Sequence, residues 1–221
     1  MIEHSRGEVM TLDEVTYDRD ALESFVNQFP NKCIIGSTKK GPDGLVTVGF
    51  NTINAYAKDG LELHEYPIIQ NLLDKFTIDI DTSNIQISYY PPGFTLPAHT
   101  DAEWNAHIMF PIMPVDGGAE LIFHDVPVAE HTRGGDYQNY VDSIDYTVKY
   151  STQHPTIFNT QIPHSAGLVV DEPRIYLKFM IPQKGAVKFR TDTRSLQHEH
   201  GHTWAQLKQM AKEGTLFKDN D

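Results

Sequence analysis

Cysteine is almost absent from this chain: Cys33 is the only one among 221 residues. An internal disulfide framework is therefore excluded, and thiolate-built zinc or iron–sulfur sites are excluded with it. No run of about 18 apolar residues occurs, which argues against a transmembrane helix. The first residues also lack the apolar segment of a secretory signal. We therefore expect a cytoplasmic protein without a membrane partner.

Basic residues are also in short supply. The chain has 18 Lys and Arg against 30 Asp and Glu, a formal net charge of −12. Because affinity for nucleic acid depends on cations that neutralise phosphates, this balance argues against a nucleic-acid partner. Neither a phosphate-binding loop, a Rossmann fingerprint nor a Gly-x-Ser-x-Gly nucleophile motif is present.

Hydrophobic periodicity divides the chain into helical ends and a β-rich middle. Apolar residues recur at helical spacing in three places: loosely among the first 30 residues, from Tyr66 to Phe76, and from Trp204 to Ala211 with Thr203 as N-cap. We expect one domain, in which helices and supporting strands (1–83) precede a β core (84–182) and a helical extension (183–221) follows.

Short strands separated by turn residues indicate an antiparallel sandwich or barrel. The glycine-rich segment 114–118 predicts a hairpin between two of them. The segment 125–145 has little periodicity and is either a lid over a site or an ordinary surface loop. The predicted strands are Cys33–Gly36, Leu45–Phe50, Asn84–Tyr90, Ala106–Ile112, Ala119–His124, Tyr146–Tyr150, Thr156–Asn159, Gly167–Val170 and Arg174–Ile181.

A histidine and a carboxylate lie two residues apart at His99-Thr100-Asp101. Residues at this spacing on a strand point to the same face, so both side chains can bind one ion. A carboxylate with imidazoles suits Fe(II), Mn(II) or Zn(II). His164 follows Pro163 directly before a hydrophobic stretch and offers a third ligand. Two imidazoles and one carboxylate form the facial triad of non-haem Fe(II) oxygenases.

Two strands carry polar residues toward the same interior. In 84–90, hydrogen-bonding side chains alternate with apolar ones, which is costly in a core unless they line a polar cavity. In 174–181 the inward positions are Arg174 and Tyr176, and Lys178 is the next residue in the same alternation. A buried arginine needs an acidic partner, either a bound carboxylate or a neighbouring acid such as Asp171 or Glu172.

Together the pattern Tyr90-x-x-Gly93, His99-x-Asp101, Pro163-His164 and Arg174-x-Tyr176 resembles the 2-oxoglutarate/Fe(II)-dependent oxygenase superfamily, in particular its prolyl-hydroxylase-like and aspartyl/asparaginyl β-hydroxylase-like members. The ten-residue step from His164 to Arg174 is its most specific element. The family's Arg-x-Ser is replaced here by Arg174-Ile175-Tyr176, where a tyrosine hydroxyl can still bond a carboxylate.

The resemblance implies a double-stranded β-helix, or jelly roll, that is cupin-like in architecture. It implies that His99, Asp101 and His164 hold Fe(II) and form the catalytic centre. Arg174 would pair with the distal carboxylate of the co-substrate 2-oxoglutarate, with Tyr90, Ser88 and Tyr176 as secondary contacts. O2 is the oxidant. The implied reaction hydroxylates a C–H bond of an amino acid or of an amino-acid residue in a peptide, and the oligomeric state is left open.

Other functions and other histidines remain in view. The main alternative is a non-redox cupin-like metal-binding or sensor protein, and a redox-inert metalloenzyme such as an isomerase is a third. Asn105 either touches a ligand or caps a turn. His107 either lies near the metal or is a hydrogen-bonded core or cavity histidine, which is the preferred interpretation. His124 and His154 have no expected metal role. The three histidines of the cluster 198–202 either bind a metal such as Zn or Ni or belong to a solvated helix entrance, which is the preferred interpretation.

Overall fold

Two large antiparallel sheets, two two-stranded sheets and three α-helices make up most of the described part of this computed structural model. The description covers residues 2–4, 7–28, 39–40, 46–47, 51–54, 63–82, 85–90, 96–99, 101, 104–114, 118–124, 144–166, 172–182, 185–188, 195–198 and 201–218. The strands are β1 (Ile2–His4), β2 (Val9–Thr11), β3 (Lys39–Lys40), β4 (Val46–Thr47), β5 (Asn51–Asn54), β6 (Gln86–Tyr90), β7 (Leu96–His99), β8 (Trp104–Met113), β9 (Gly118–His124), β10 (Ile144–Ser151), β11 (Thr156–Asn159), β12 (His164–Ala166), β13 (Arg174–Pro182), β14 (Gly185–Lys188) and β15 (Ser195–His198). The helices are α1 (Arg19–Val26), α2 (Pro67–Leu73) and α3 (Trp204–Glu213), with a short 3-10 helix at Leu63–Glu65.

The central strands alternate between the two sheets. The seven-stranded sheet has the order β1-β2-β11-β8-β13-β6-β5, and the four-stranded sheet has the order β10-β9-β12-β7. Along the chain from β6 to β13, each strand crosses to the opposite sheet, except that β9 and β10 pair as neighbours. This interleaving is a double-stranded β-helix, so the predicted jelly-roll fold is confirmed.

The large sheet separates two hydrophobic cores because side chains alternate along each strand. On its outer face the strands pack against all three helices through residues such as Leu22, Ile69, Leu207, Phe110 and Leu177. On its inner face a smaller core joins the two sheets, and it contains Val9, Tyr90, Met109, Leu121, Phe123, Val148, Phe158 and Tyr176. The inner face is therefore where polar side chains can line a cavity.

Most predicted strands are confirmed within one or two residues, and β11 and β13 are the clearest cases. The predicted hairpin at 114–118 is wrong. Strands β8 and β9 on either side of it belong to different sheets and do not pair. A glycine-rich turn can reverse the chain within a sheet or carry it across a sandwich, and its sequence does not distinguish the two.

The two later helices are confirmed. Thr203 caps α3: its hydroxyl accepts from the Gln206 N–H at 3.2 Å, and the Gln206 side chain accepts from the Thr203 N–H at 2.8 Å. Helix α3 ends at Gly214, whose φ of 72° suits glycine. The loosely helical pattern of the first 30 residues is only half helical, because buried Leu12 and Val15 precede α1.

Several predictions lie outside the described residues: the strands Cys33–Gly36 and Gly167–Val170, and nearly all of the 125–145 segment. The three-part division of the chain stays a prediction; in the structure, β2 and β5 of its first part join the large sheet of the second. Among the described helices, none combines the length and the apolar character that crossing a membrane requires.

Candidate functional site

The site begins where three chain segments meet at one end of the inner face. Asp101 lies just beyond the end of β7, and its backbone N–H donates to the Thr160 carbonyl oxygen at 3.0 Å. The Gln161 side-chain amide donates to the Asp101 carbonyl oxygen at 2.7 Å. These two bonds hold the Asp101 backbone on both sides and leave its carboxylate to face the interior. Gln161 was not identified from the sequence, which carries no signal for it.

His164 opens β12 and directs its imidazole at the same point. Its Nε2 lies 3.6 Å from Asp101 Oδ2, and its side chain is only 3% exposed. The rings of Phe158 and Phe123 lie beside the imidazole, with centroid separations of 5.3 Å and 6.4 Å. These rings fix the imidazole orientation and keep water from it.

The hydrogen bond made by Nδ1 of His164 determines whether Nε2 can act as a metal ligand. Nδ1 lies 2.9 Å from the Ile162 carbonyl oxygen, which is an acceptor only, so Nδ1 carries the proton. In the neutral imidazole, Nε2 then has its lone pair toward the Asp101 carboxylate. Two electron-rich atoms at 3.6 Å require a proton or a cation between them. A histidine oriented through Nδ1–H in this way is the usual form of a metal-ligating histidine.

His99 ends β7, and the strand register pairs it with His164. The sequence-predicted ligands thus converge at the backbone level, while the side-chain position of His99 is outside the described residues. Among the side chains that the structure does describe, no complete group of three metal ligands is formed. Asp101 and His164 are the two predicted ligands that are brought together.

A further histidine, His107, approaches the same carboxylate. It lies on β8, is buried, and places Nε2 3.5 Å from Asp101 Oδ2. Its ring meets Phe158 edge to face at 5.4 Å. This position agrees with the interpretation of His107 as a cavity histidine and with the alternative that it lies near the predicted metal ligands. The sequence carried a signal for this position, because Asn105 and His107 are polar residues in the otherwise apolar strand β8.

The predicted co-substrate residues lie further along the same interior. Ser88, Tyr90 and Tyr176 are buried, and the rings of Tyr90 and Tyr176 are 6.0 Å apart. Register places Tyr90 opposite Arg174 and Ser88 opposite Tyr176 on adjacent strands β6 and β13. Arg174 is half-buried at the start of β13. The structure therefore groups these four residues on one pair of adjacent strands.

Three further histidines whose side chains the structure describes fall outside this group. His124 is buried and bonded to Ser165 through Nε2 and Oγ at 2.9 Å, and His154 lies in the turn before β11. His202 precedes α3 and accepts from the Asp79 N–H at 3.3 Å. Asn105 donates to the His202 carbonyl oxygen at 2.6 Å, so it fastens the segment before α3 to the start of β8. Asn105 is thus a structural tether in this geometry.

No family model matches this sequence, and no curated protein matches it either. Solved structures nevertheless share its fold. The non-haem alpha-ketoglutarate-dependent carbocyclase SnoK of nogalamycin biosynthesis is 12% identical, with a TM-score of 0.53 over 84% of each chain. HygX from Streptomyces hygroscopicus, solved with nickel and 2-oxoglutarate bound, is 8% identical, with a TM-score of 0.51 over 90% of this chain and 94% of that one.

These similarities bear on the fold. At 8–12% identity they establish a common arrangement of strands, and they carry no assignment of individual residues. The resemblance drawn from the sequence motifs is therefore confirmed at the level of the fold: the chain has the β-helix of proteins that include 2-oxoglutarate-dependent oxygenases.

Proposed function

We propose that this protein is an Fe(II)- and 2-oxoglutarate-dependent dioxygenase. The observation that carries the proposal is the contact between His164 and Asp101. A proton-bearing Nδ1 directs the Nε2 lone pair of His164 toward a carboxylate oxygen 3.6 Å away, inside a fold used for this chemistry. A divalent cation satisfies both atoms at once.

His99, Asp101 and His164 would hold the iron. One carboxylate and two imidazoles match the ligand preference of Fe(II) and leave the opposite face of the ion open. When bound, iron with 2-oxoglutarate and O2 supplies the oxidation, in which 2-oxoglutarate is decarboxylated to succinate and CO2. The chain's own residues supply ligand orientation, through the Ile162 carbonyl, and exclusion of water, through Phe123 and Phe158.

The co-substrate would occupy the interior between the metal end and the start of β13. Its distal carboxylate needs a cation, and the inner face of β13 offers two, Arg174 and Lys178. Tyr90, Ser88 and Tyr176 supply hydroxyl groups beside them. Charge-assisted hydrogen bonds of this kind are the strong ones in proteins.

A non-redox cupin-like metal-binding or sensor protein is the second candidate, since it would use the same barrel and the same ligands. The two inward cations of β13 favour the oxygenase. A site that binds only a metal ion has no need of a buried lysine in the barrel. A site that also binds a dicarboxylate co-substrate needs a cation there to pair with the second carboxylate.

The substrate class rests on the sequence resemblance to prolyl-hydroxylase-like and aspartyl/asparaginyl β-hydroxylase-like proteins. We propose that a C–H bond of an amino acid, free or in a peptide, is hydroxylated. Substrate-dependent succinate formation across a panel of amino acids and peptides tests this, and the product should gain about 16 Da from one inserted oxygen atom.

The reaction class has its own test. Anaerobic protein with Fe(II) and 2-oxoglutarate should develop a weak metal-to-ligand charge-transfer band in the visible. Zn(II) in place of Fe(II) is the matched control, because a d10 ion without redox chemistry gives no such band. No band with iron, together with no succinate formed in air, contradicts the oxygenase and leaves the cupin-like alternative.

A further inference from the structure

The barrel contains a buried lysine that is not among the four co-substrate contacts predicted from the sequence. Lys178 lies in the middle of β13 and is 8% exposed. It shares the inner face with Tyr176, two residues before it, and it is flanked in register by Met109 on β8 and Gln86 on β6. A lysine is rarely buried to this extent unless its ammonium has a partner.

The ammonium of Lys178 is directed along the interior to a tyrosine. Its Nζ donates to the Tyr90 hydroxyl at 2.7 Å and lies 5.2 Å from the centre of the Tyr90 ring. A neutral hydroxyl and a ring face solvate a cation without neutralising it. The salt bridges formed among the described residues do not include Lys178.

A second observation at the same place points to a bound group. Ser88 is fully buried on β6, two residues before Tyr90 on the same face, and its Oγ has no hydrogen-bond partner among the residues that the structure describes. Tyr176, opposite Ser88 in register, is 2% exposed. One ammonium and several hydroxyl groups around a dry interior match the hydrogen-bonding needs of a carboxylate.

Lys178 lies deeper in the barrel, and closer to the metal end of β13, than Arg174 does. On β13, Met180 pairs with His107, which marks the metal end of the strand. Lys178 is two residues from Met180 and Arg174 is six, which is about 7 Å and about 20 Å along an antiparallel strand. Arg174 is also half-buried, whereas Lys178 is buried. An ion pair removed from water is screened less, so a carboxylate gains more from Lys178.

We propose that Lys178, oriented by Tyr90, is the main anchor for the distal carboxylate of the co-substrate, with Ser88 as an additional donor. The inference rests on the proposed function and deepens it, because it moves the co-substrate anchor from Arg174 to a lysine nearer the metal end. Arg174 then lies at the outer end of the cavity and contributes less. The site selects 2-oxo acids that carry a second carboxylate.

The experiment compares two ligands and four variants. Dissociation constants are measured by calorimetry for 2-oxoglutarate and for 2-oxobutyrate, which keeps the 2-oxo acid head and lacks the distal carboxylate. The full-length protein is loaded with Mn(II), so the readout is binding and not turnover. The variants are Lys178→Met, Tyr90→Phe, Arg174→Met and, as a control, Lys149→Met on the exposed face of β10.

Wild-type protein should prefer 2-oxoglutarate, and Lys178→Met should lower that preference about ten- to hundredfold, the effect of one charge-assisted hydrogen bond. Tyr90→Phe should lower it several-fold, Arg174→Met should lower it less than Lys178→Met does, and Lys149→Met should leave it unchanged. Methionine has nearly the length of lysine, and replacing a buried charge by an apolar group of similar volume is usually tolerated. Tyr90→Phe gives a second reading should Lys178→Met fail to fold.

Two results overturn the proposal. If Lys178→Met retains the wild-type preference while Arg174→Met abolishes it, the anchor is Arg174 and the oxygenase assignment stands. If wild-type protein binds both acids equally, no distal-carboxylate anchor exists, and the charge-transfer experiment alone then decides the reaction class. A Lys178→Met protein that folds, loses the preference and still binds 2-oxobutyrate as wild type does supports the proposal.

Discussion

Asp101 Oδ2 lies 3.6 Å from His164 Nε2, although 62 residues separate the two in the chain. One residue follows β7 and the other opens β12, two strands that pair in the small sheet. The contact is therefore made by strand pairing, and the Ile162 carbonyl completes it by fixing the imidazole tautomer.

Asp101→Ala should weaken Fe(II) binding by more than the ten- to hundredfold that is typical of losing a partner outside the ligand set. The fold should survive, because the hydrogen bonds to Thr160 and Gln161 use only backbone atoms of Asp101. Iron content after anaerobic reconstitution and gel filtration measures the effect. The double variant His198→Ala, His200→Ala is the control and should keep full iron content; its loss of iron would move the metal site to the C-terminal histidine cluster.

His107→Phe tests whether the third imidazole is a ligand or a neighbour. If the His107 imidazole only neighbours the Asp101 carboxylate, 3.5 Å away, then removing this imidazole should weaken metal affinity by about tenfold. The phenyl ring keeps the edge-to-face contact with Phe158, so packing is retained. Titration with Mn(II) or Zn(II) gives the affinity. Complete loss of binding would instead make His107 a metal ligand in its own right.

The burial of Tyr17 predicts that the folded protein becomes less stable at alkaline pH. Burial raises the pKa of Tyr17 above its ordinary value near 10, and Arg19 opposes this. The hydroxyl donates to the Pro111 carbonyl oxygen, and the ring meets Phe110 edge to face at 5.5 Å. Since the folded state favours the neutral phenol, its contribution is complete below about pH 10 and is lost as the pH rises through the folded pKa.

Urea unfolding between pH 8 and pH 11 measures this effect. Tyr17→Phe should cost about 1 kcal/mol at pH 8 through the lost hydrogen bond, and the difference from wild type should shrink as the pH rises. A difference that stays constant to pH 11 would show that Tyr17 does not titrate differently in the folded and unfolded states.

Much of the fold was predictable because its signals are local. The β13 pattern, the α3 cap at Thr203 and the alternation of β6 each depend on a few adjacent residues, and each is confirmed. The failed hairpin between β8 and β9 shows the limit. Whether a turn closes a hairpin or crosses between sheets depends on which strand the chain meets next, and that partner is far away in sequence.

The candidate site divides in the same way. By itself the sequence determined which residue types are the candidate ligands and how they are spaced, since His99-x-Asp101, Pro163-His164 and Arg174 are fixed by covalent order and strand alternation. Only the tertiary structure decided that His107 approaches Asp101, that Gln161 holds its backbone, and that Lys178 is buried against Tyr90. Those relationships join segments that are close in the fold but distant in the chain. Burial strengthens the interactions of a charge, and it exists only once the two sheets have packed together.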